Sequence, residues 1–227
     1  MTTPLEEYKI KNAPPNLYYI PDIITPQEEE YILSKVYTAP RPKWVVLKNR
    51  RLQNWGGVPS DKGMFQQPLP TWLTSIPFAK FRQLGIFLDP PPTNTPFDPN
   101  HVLVNEYLAG QGIMPHEDGP IYFPTVATIS LGSHTVLNFY RRGETTPIFC
   151  LYQEPRSLLV LKEDMYKEYL HGIEELMVDN LSTPPATILN PERLPPGVDE
   201  RRELRRTSRV SLTYRKVTRV AKTKLFR

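Results

Sequence analysis

At 227 residues the chain is long enough to bury a core, either as one large β-rich domain or as two small ones. Hydrophobic residues make up 39% and charged residues 23%, and no run approaches the roughly 18 apolar residues of a membrane span, which excludes a helical membrane protein and favours a soluble globular one. The net charge of +4 is unevenly placed: residues 201–227 hold eleven Lys and Arg against the single acid Glu203, and the rest of the chain holds 17 against 23 acids. The start, MTTPLEEYKIK, lacks the basic and apolar run of a leader, and Cys150 is the only cysteine. Cytoplasm and nucleus are therefore the expected location, with no membrane partner and a monomeric chain.

In chain order, residues 17–24 (LYYIPDII) read as a strand. Thr25-Pro26-Gln27-Glu28 then forms a capping box with proline at the first helical position, opening a helix to about Tyr37 whose Ile32, Leu33, Val36 and Tyr37 share a face. Residues 39–63, with WVVLK and RRLQNWGG, predict a hairpin-like lid or binding loop. A second helix is expected from Pro70 to Leu84, followed by a proline-rich loop over 89–99. Six short runs rich in valine, threonine and aromatics follow: HVLVNEYL, TVATISLG, HTVLNFYR, TPIFCLYQ, RSLLVLKE and RVSLTYRKV. Their spacing predicts an antiparallel sandwich or barrel, so the fold class is mainly β with flanking helices, α+β. A proline-rich surface loop or partly disordered insert is expected around 182–197.

His116-Glu117-Asp118 sets two metal-ligand side chains two residues apart, on one face of an extended backbone. His171, after the RSLLVLKE strand, can supply a third ligand. Two histidines and a carboxylate make the facial triad of non-haem Fe(II) sites, although the H-x-D spacing by itself equally fits a solvated loop histidine beside acids. In the C-terminal strand Arg209, Ser211, Thr213 and Arg215 share one face, and Val210, Leu212 and Tyr214 take the other. Arginines facing into a sandwich need anions, and a dicarboxylate suits the guanidinium fork; a solvated edge strand is the alternative. Asn105 and Tyr107 form a further same-face pair, able to donate to a bound carboxylate or to serve as ordinary core residues. His101 and His134 read as structural.

Taken together, Asn105-x-Tyr107, His116-x-Asp118, His171 and Arg209-x5-Arg215 resemble the AlkB family of Fe(II)/2-oxoglutarate-dependent dioxygenases, from about His101 to Arg219. The segments RRLQNWGG, HVLVNEYLAGQGIMPHEDGP and TVATISLGSHTVL look closest to its homologue-six branch. The resemblance implies a double-stranded β-helix (jelly roll) with N-terminal helices and a nucleotide-recognition lid over residues 1–97, and a dioxygenase core over 98–220, forming one compact unit. It implies Fe(II) on His116, Asp118 and His171, with 2-oxoglutarate and O2 as cosubstrates. Arg209, aided by Tyr107, would take the distal carboxylate of 2-oxoglutarate. Asn105 and Arg215 would lie toward its other end, with Ser211 beside them. Oxidative demethylation of alkylated or methylated nucleic acid, single-stranded DNA or RNA, is the activity implied; a nucleic-acid-binding module with little turnover and a protein hydroxylase are the alternatives. Two features depart from the pattern: Pro120 stands where repair members carry an acid that helps to read the damaged base, and the gap from His171 to Arg209 is long.

Lys43, Lys48, Arg50 and Arg51, with the C-terminal basic cluster, are expected to offer phosphate contacts at the cavity mouth, and Trp44, Trp55, Tyr122 and Phe123 to offer stacking surfaces.

Overall fold

The computed structural model describes residues 3–182, 184–195 and 203–221. The expected first strand is β1 (Leu17–Ile20), shorter than 17–24 because Pro21 has no N–H to donate and Asp22 turns to φ +44°. Helix α1 (Pro26–Tyr37) starts at the expected capping box: Thr25 Oγ1 accepts from the Glu28 amide at 3.1 Å, and the Glu28 carboxylate accepts from the Thr25 amide at 2.8 Å. The lid segment forms a hairpin of β2 (Val45–Leu47) and β3 (Arg50–Trp55), followed by the two-residue β4 (Met64–Phe65).

The single helix expected over 70–84 is instead two, α2 (Thr71–Thr74) and α3 (Pro77–Leu84). Pro77 cannot donate to the Leu73 carbonyl, so the helical ladder stops there. The buried Tyr214 hydroxyl donates to that freed carbonyl at 3.1 Å, which ties the helix break to the C-terminal strand.

Each of the six expected runs is a strand: β5 (His101–Tyr107), β7 (Thr125–Gly132), β8 (Thr135–Arg141), β9 (Phe149–Gln153), β10 (Leu158–Lys162) and β14 (Arg209–Arg215). Between them lie the shorter β6 (Ile113–His116), α4 (Glu163–Lys167), β11 (Tyr169–Ile173), β12 (Val178–Asn180) and β13 (Glu203–Arg205); β15 (Val220–Ala221) ends the described chain. A seven-stranded sheet in the order β1-β10-β7-β14-β5-β3-β2 faces a four-stranded sheet, β6-β11-β8-β9. Both faces of the larger sheet are covered. Val210, Leu212 and Tyr214 pack outward with Val102 and Ile129 against Ile32, Leu73 and Phe81 of the helices. The opposite face joins Leu137, Phe139, Leu151 and Ile173 of the smaller sheet in a second core. Cover on both sides explains why β14 and β10 are nearly continuously buried rather than alternating.

The described part of the proline-rich insert is not a loose loop. Ile188 bridges in parallel to Cys150 on the edge of β9, and the Asn190 side chain bonds both backbone groups of Tyr152 at 2.8 and 2.9 Å. Its base is closed by β12 pairing with β13, where buried Arg206 forks onto buried Asp179 at 2.6 and 2.7 Å and His134 adds a bond at 3.1 Å. His134 is thus structural, as expected. Arg206→Ala leaves Asp179 buried beside His134 alone, and is expected to cost about 3–5 kcal/mol in urea denaturation; a change below about 1 kcal/mol would mean that the clasp adds nothing.

Candidate active site

Between the two sheets lies a cavity of about 210 Å³. Strand periodicity places Arg209, Ser211, Thr213 and Arg215 of β14 on its wall, and antiparallel register sets Tyr107 opposite Arg209 and Asn105 opposite Ser211. From the other sheet come His116, at the end of β6, and His171 of β11, with Asp118 in the loop that follows β6. The structure therefore brings the eight candidate site residues of the sequence, and Thr213 beside them, to one cavity.

The two histidines are direct partners in the β6–β11 ladder, and their ring centroids are 4.5 Å apart. That closeness depends on glycine. A Cβ on Gly112 would stand 2.2 Å from the Ile173 carbonyl oxygen, and one on Gly172 would meet the Ile113 carbonyl at 3.0 Å. The loop carrying Asp118 is held from the segment that leads into β11. Tyr166 donates to the Gly119 carbonyl, and Arg142 pairs with Glu117 while donating to the Lys167 carbonyl at 3.1 Å.

Asp118 Oδ1 accepts from Arg215 Nη1 at 2.8 Å, and its Oδ2 lies 3.9 Å from His171 Nε2. Burial pushes the Asp118 carboxyl up, but Arg215, His171 and His116 outweigh it and hold the group below the ordinary carboxylate range. Burial, with His116 adding to it, pushes His171 down to about 4, so at neutral pH it is an uncharged imidazole. Its neighbour His116 places Nδ1 2.9 Å from the Met114 carbonyl, which favours a proton there and leaves Nε2 with the free lone pair. Among the described residues no three such side chains are drawn up into a ready metal cluster, and Asp118 commits one oxygen to Arg215. As chemistry, however, the donor set is two imidazoles and an ionised carboxylate on one side of an open cavity, and it fits a divalent ion that keeps open positions.

At the other end of β14, Arg209 is buried with no carboxylate partner among the described residues. Its Nη2 donates to Ser130 Oγ at 2.8 Å and Gln153 Oε1 at 3.0 Å, the Tyr107 ring lies 5.9 Å away, and its Nε has no partner. Burial pushes this guanidinium down to about 10, which still leaves it charged at neutral pH. A buried cation without an anion is costly unless a ligand completes it. The cavity wall thus asks for an anion at one end and offers metal-type donors at the other.

A family model described as the 2OG-Fe(II) oxygenase superfamily matches residues 25–215. The chain belongs to that superfamily. A zebrafish (Danio rerio) protein described as "Probable RNA/DNA demethylase ALKBH6" is 46% identical over 233 aligned residues, covering 98% of this chain and 94% of the relative. An uncharacterised mimivirus protein, L905, is 29% identical over 87% of this chain and 83% of its own length. Among solved structures OsALKBH1 superposes with a TM-score of 0.61 at 15% identity, over 92% of this chain and all of that one. A 2OG-Fe(II) oxygenase-family oxidoreductase from Burkholderia pseudomallei gives 0.56 at 13% identity, over 91% and 89%. The chain is an AlkB-type oxygenase of the homologue-six branch, with the jelly-roll fold of these structures.

At the rim of this oxygenase, several of the residues expected to contact phosphate or stack on bases also have partners within the chain. Lys43 sits 4.1 Å over the Trp55 ring, and Arg51 pairs with Glu106 while stacking 4.2 Å over Trp44, so each indole already carries a cation on one face. The ring of Tyr122 lies against Arg215 at 4.3 Å and His101 at 5.8 Å, and Phe123 packs edge-on against Phe97 at 4.9 Å. Both rings are therefore engaged inside the fold. Arg206, Arg209 and Arg215 of the basic cluster are buried, Arg205 and Arg219 are exposed, and Arg201, Arg202, Lys222, Lys224 and Arg227 lie outside the described residues. Lys48 is exposed, whereas Arg50 turns inward, lining the cavity with its Nε 3.3 Å from Asn105 Oδ1. Sequence reading missed Ser130 and Gln153. Ser130 lies within β7 and Gln153 ends β9, and only the folded register shows that they meet Arg209.

Proposed function

We propose that this AlkB-type oxygenase oxidatively demethylates alkylated or methylated nucleic acid, with single-stranded DNA or RNA as substrate. The observation that carries the reading is the buried, carboxylate-free Arg209 on the same wall as the His116, Asp118 and His171 donors. The zebrafish relative's description as an RNA/DNA demethylase, at 46% identity, supports the substrate class.

His116, Asp118 and His171 would hold Fe(II), with Arg215 orienting the Asp118 carboxylate. Arg209, with Tyr107 opposite it in register, would take the far carboxylate of 2-oxoglutarate. Asn105 and Ser211, also paired across β5 and β14, would line its middle, and Arg50 would come down from the hairpin onto Asn105. Iron with 2-oxoglutarate and O2 supplies oxidation of a C–H bond, which on an N-methyl group ends in formaldehyde and the free base, with succinate and CO2 as co-products. The residues of the chain bind and orient, and the surrounding Leu137, Leu159 and Ile173 keep the chamber apolar. Pro120 supplies no carboxylate for reading a base, so base choice rests on other parts of the rim.

Purified protein with Fe(II), ascorbate and 2-oxoglutarate is expected to form succinate faster with one or more methylated single-stranded oligonucleotides, with formaldehyde in step. His116→Ala is expected to abolish both. Stimulation by peptides but not by any oligonucleotide would move the substrate to protein, and absence of succinate in every arm would favour a binding module.

A further inference from the structure

Gln153, the last residue of β9, lies in the smaller sheet yet touches Arg209 of the larger one, so it closes the inner end of the cavity. It is 1% exposed. The orientation of its amide follows from its partners. A guanidinium can only donate, so the atom 3.0 Å from Arg209 Nη2 is the oxygen, and Ser130 Oγ donates to that same oxygen at 3.1 Å. The amide nitrogen Nε2 is thereby turned away from both, and it is buried without a partner, as is Arg209 Nε. Two residues in contact at one part of the cavity wall thus each carry a buried donor without a partner, and Tyr107 lines the cavity with them. Buried donors in such a state call for an acceptor with several lone pairs.

We propose that Gln153 is a specificity-determining residue of the cosubstrate site. Its oxygen sets the plane of the Arg209 fork, and its Nε2 donates to the far carboxylate of the five-carbon oxo-acid. The inference rests on the reading that this cavity holds 2-oxoglutarate. An amide is the side chain that serves both purposes. A carboxylate at 153 would hold the fork equally well but would neutralise it, taking the place of the ligand's own charge. The adjacent carboxylate is engaged elsewhere: Glu154, the residue after β9, pairs with Arg193.

The test measures binding by calorimetry on the full chain loaded with a redox-inert divalent ion, so turnover is not the readout. The probes are 2-oxoglutarate and its mono-amide at the far carboxylate. Wild type is expected to prefer the diacid. Gln153→Leu is expected to weaken the diacid about ten- to a hundredfold, the range of a lost hydrogen bond to a charged group. Gln153→Glu is expected to weaken it at least as much while leaving the amide unaffected or improved, so that the preference collapses or inverts. A merely structural role would weaken both ligands in parallel and preserve the preference. Diacid binding within about twofold of wild type in both variants, with Arg209→Met still defective, would overturn the role of Gln153 and leave the cavity assignment standing. Normal binding in Arg209→Met as well would overturn the cavity assignment itself.

Discussion

Alanine in place of Asp118 is expected to abolish Fe(II)-dependent succinate formation and at the same time to destabilise the fold. The two losses share one cause. Asp118 Oδ1 is bonded to the buried Arg215 at 2.8 Å, and its other oxygen faces His171, so the carboxylate serves as both counter-ion and candidate ligand. Removing one partner of a buried pair leaves an uncompensated charge and typically costs about 3–5 kcal/mol. His101 nearby is held neutral, pushed down to about 3 by burial and Arg215, so Asp118 is the charge that balances this guanidinium. Asp118→Asn separates the effects: the amide oxygen can still accept from Arg215, so stability should recover in large part, while the ionised ligand is gone and turnover should not return. The measurements are urea denaturation and coupled succinate detection on both variants. Full succinate formation in either would take Asp118 out of the metal site.

How much of this was legible in the sequence follows from what each feature depends on. Strand β14 could be read residue by residue, since a period of two with Val210, Leu212 and Tyr214 on one side leaves the arginines on the other whatever the sheet around it does. The capping box at Thr25 is equally local. Strands β6 and β11 were not visible because they are short, contain Pro115 and Gly172, and are defined by the close approach of their backbones rather than by side-chain pattern. The break at Pro77 is by contrast a local effect of a proline without an N–H, and only the bond by which Tyr214 takes up the freed Leu73 carbonyl needed the fold. The partners of the basic and aromatic residues of the hairpin were hidden for a related reason. Composition shows that cations and indoles are near one another in the chain, whereas only the paired register of β2 and β3 against β5 shows that Arg51 pairs with Glu106 and that each indole carries a cation on one face. Ser130 and Gln153 depend on three elements at once, and no single stretch of chain encodes their meeting with Arg209.

Arg209→Met is expected to separate function from stability in the sense opposite to Asp118→Ala. The guanidinium is buried without a carboxylate, and its protein partners are the neutral oxygens of Ser130 and Gln153. Those two already bond to each other at 3.1 Å, so truncating the arginine leaves them paired. Methionine fills a similar channel without the desolvation cost of a cation. Stability should therefore stay level or rise, by as much as about 1–4 kcal/mol, the range seen when buried charges give way to packed apolar side chains. The affinity for 2-oxoglutarate should fall at least about a hundredfold, because a forked charge-assisted contact to a carboxylate is lost in a setting shielded from water. Thermal denaturation with and without saturating 2-oxoglutarate tests both halves in one experiment. Wild type should gain from the ligand, whereas the variant should start level or higher and gain little. A variant that is strongly destabilised yet still stabilised by 2-oxoglutarate would show that Arg209 is held for the fold and that the anion binds elsewhere in the cavity.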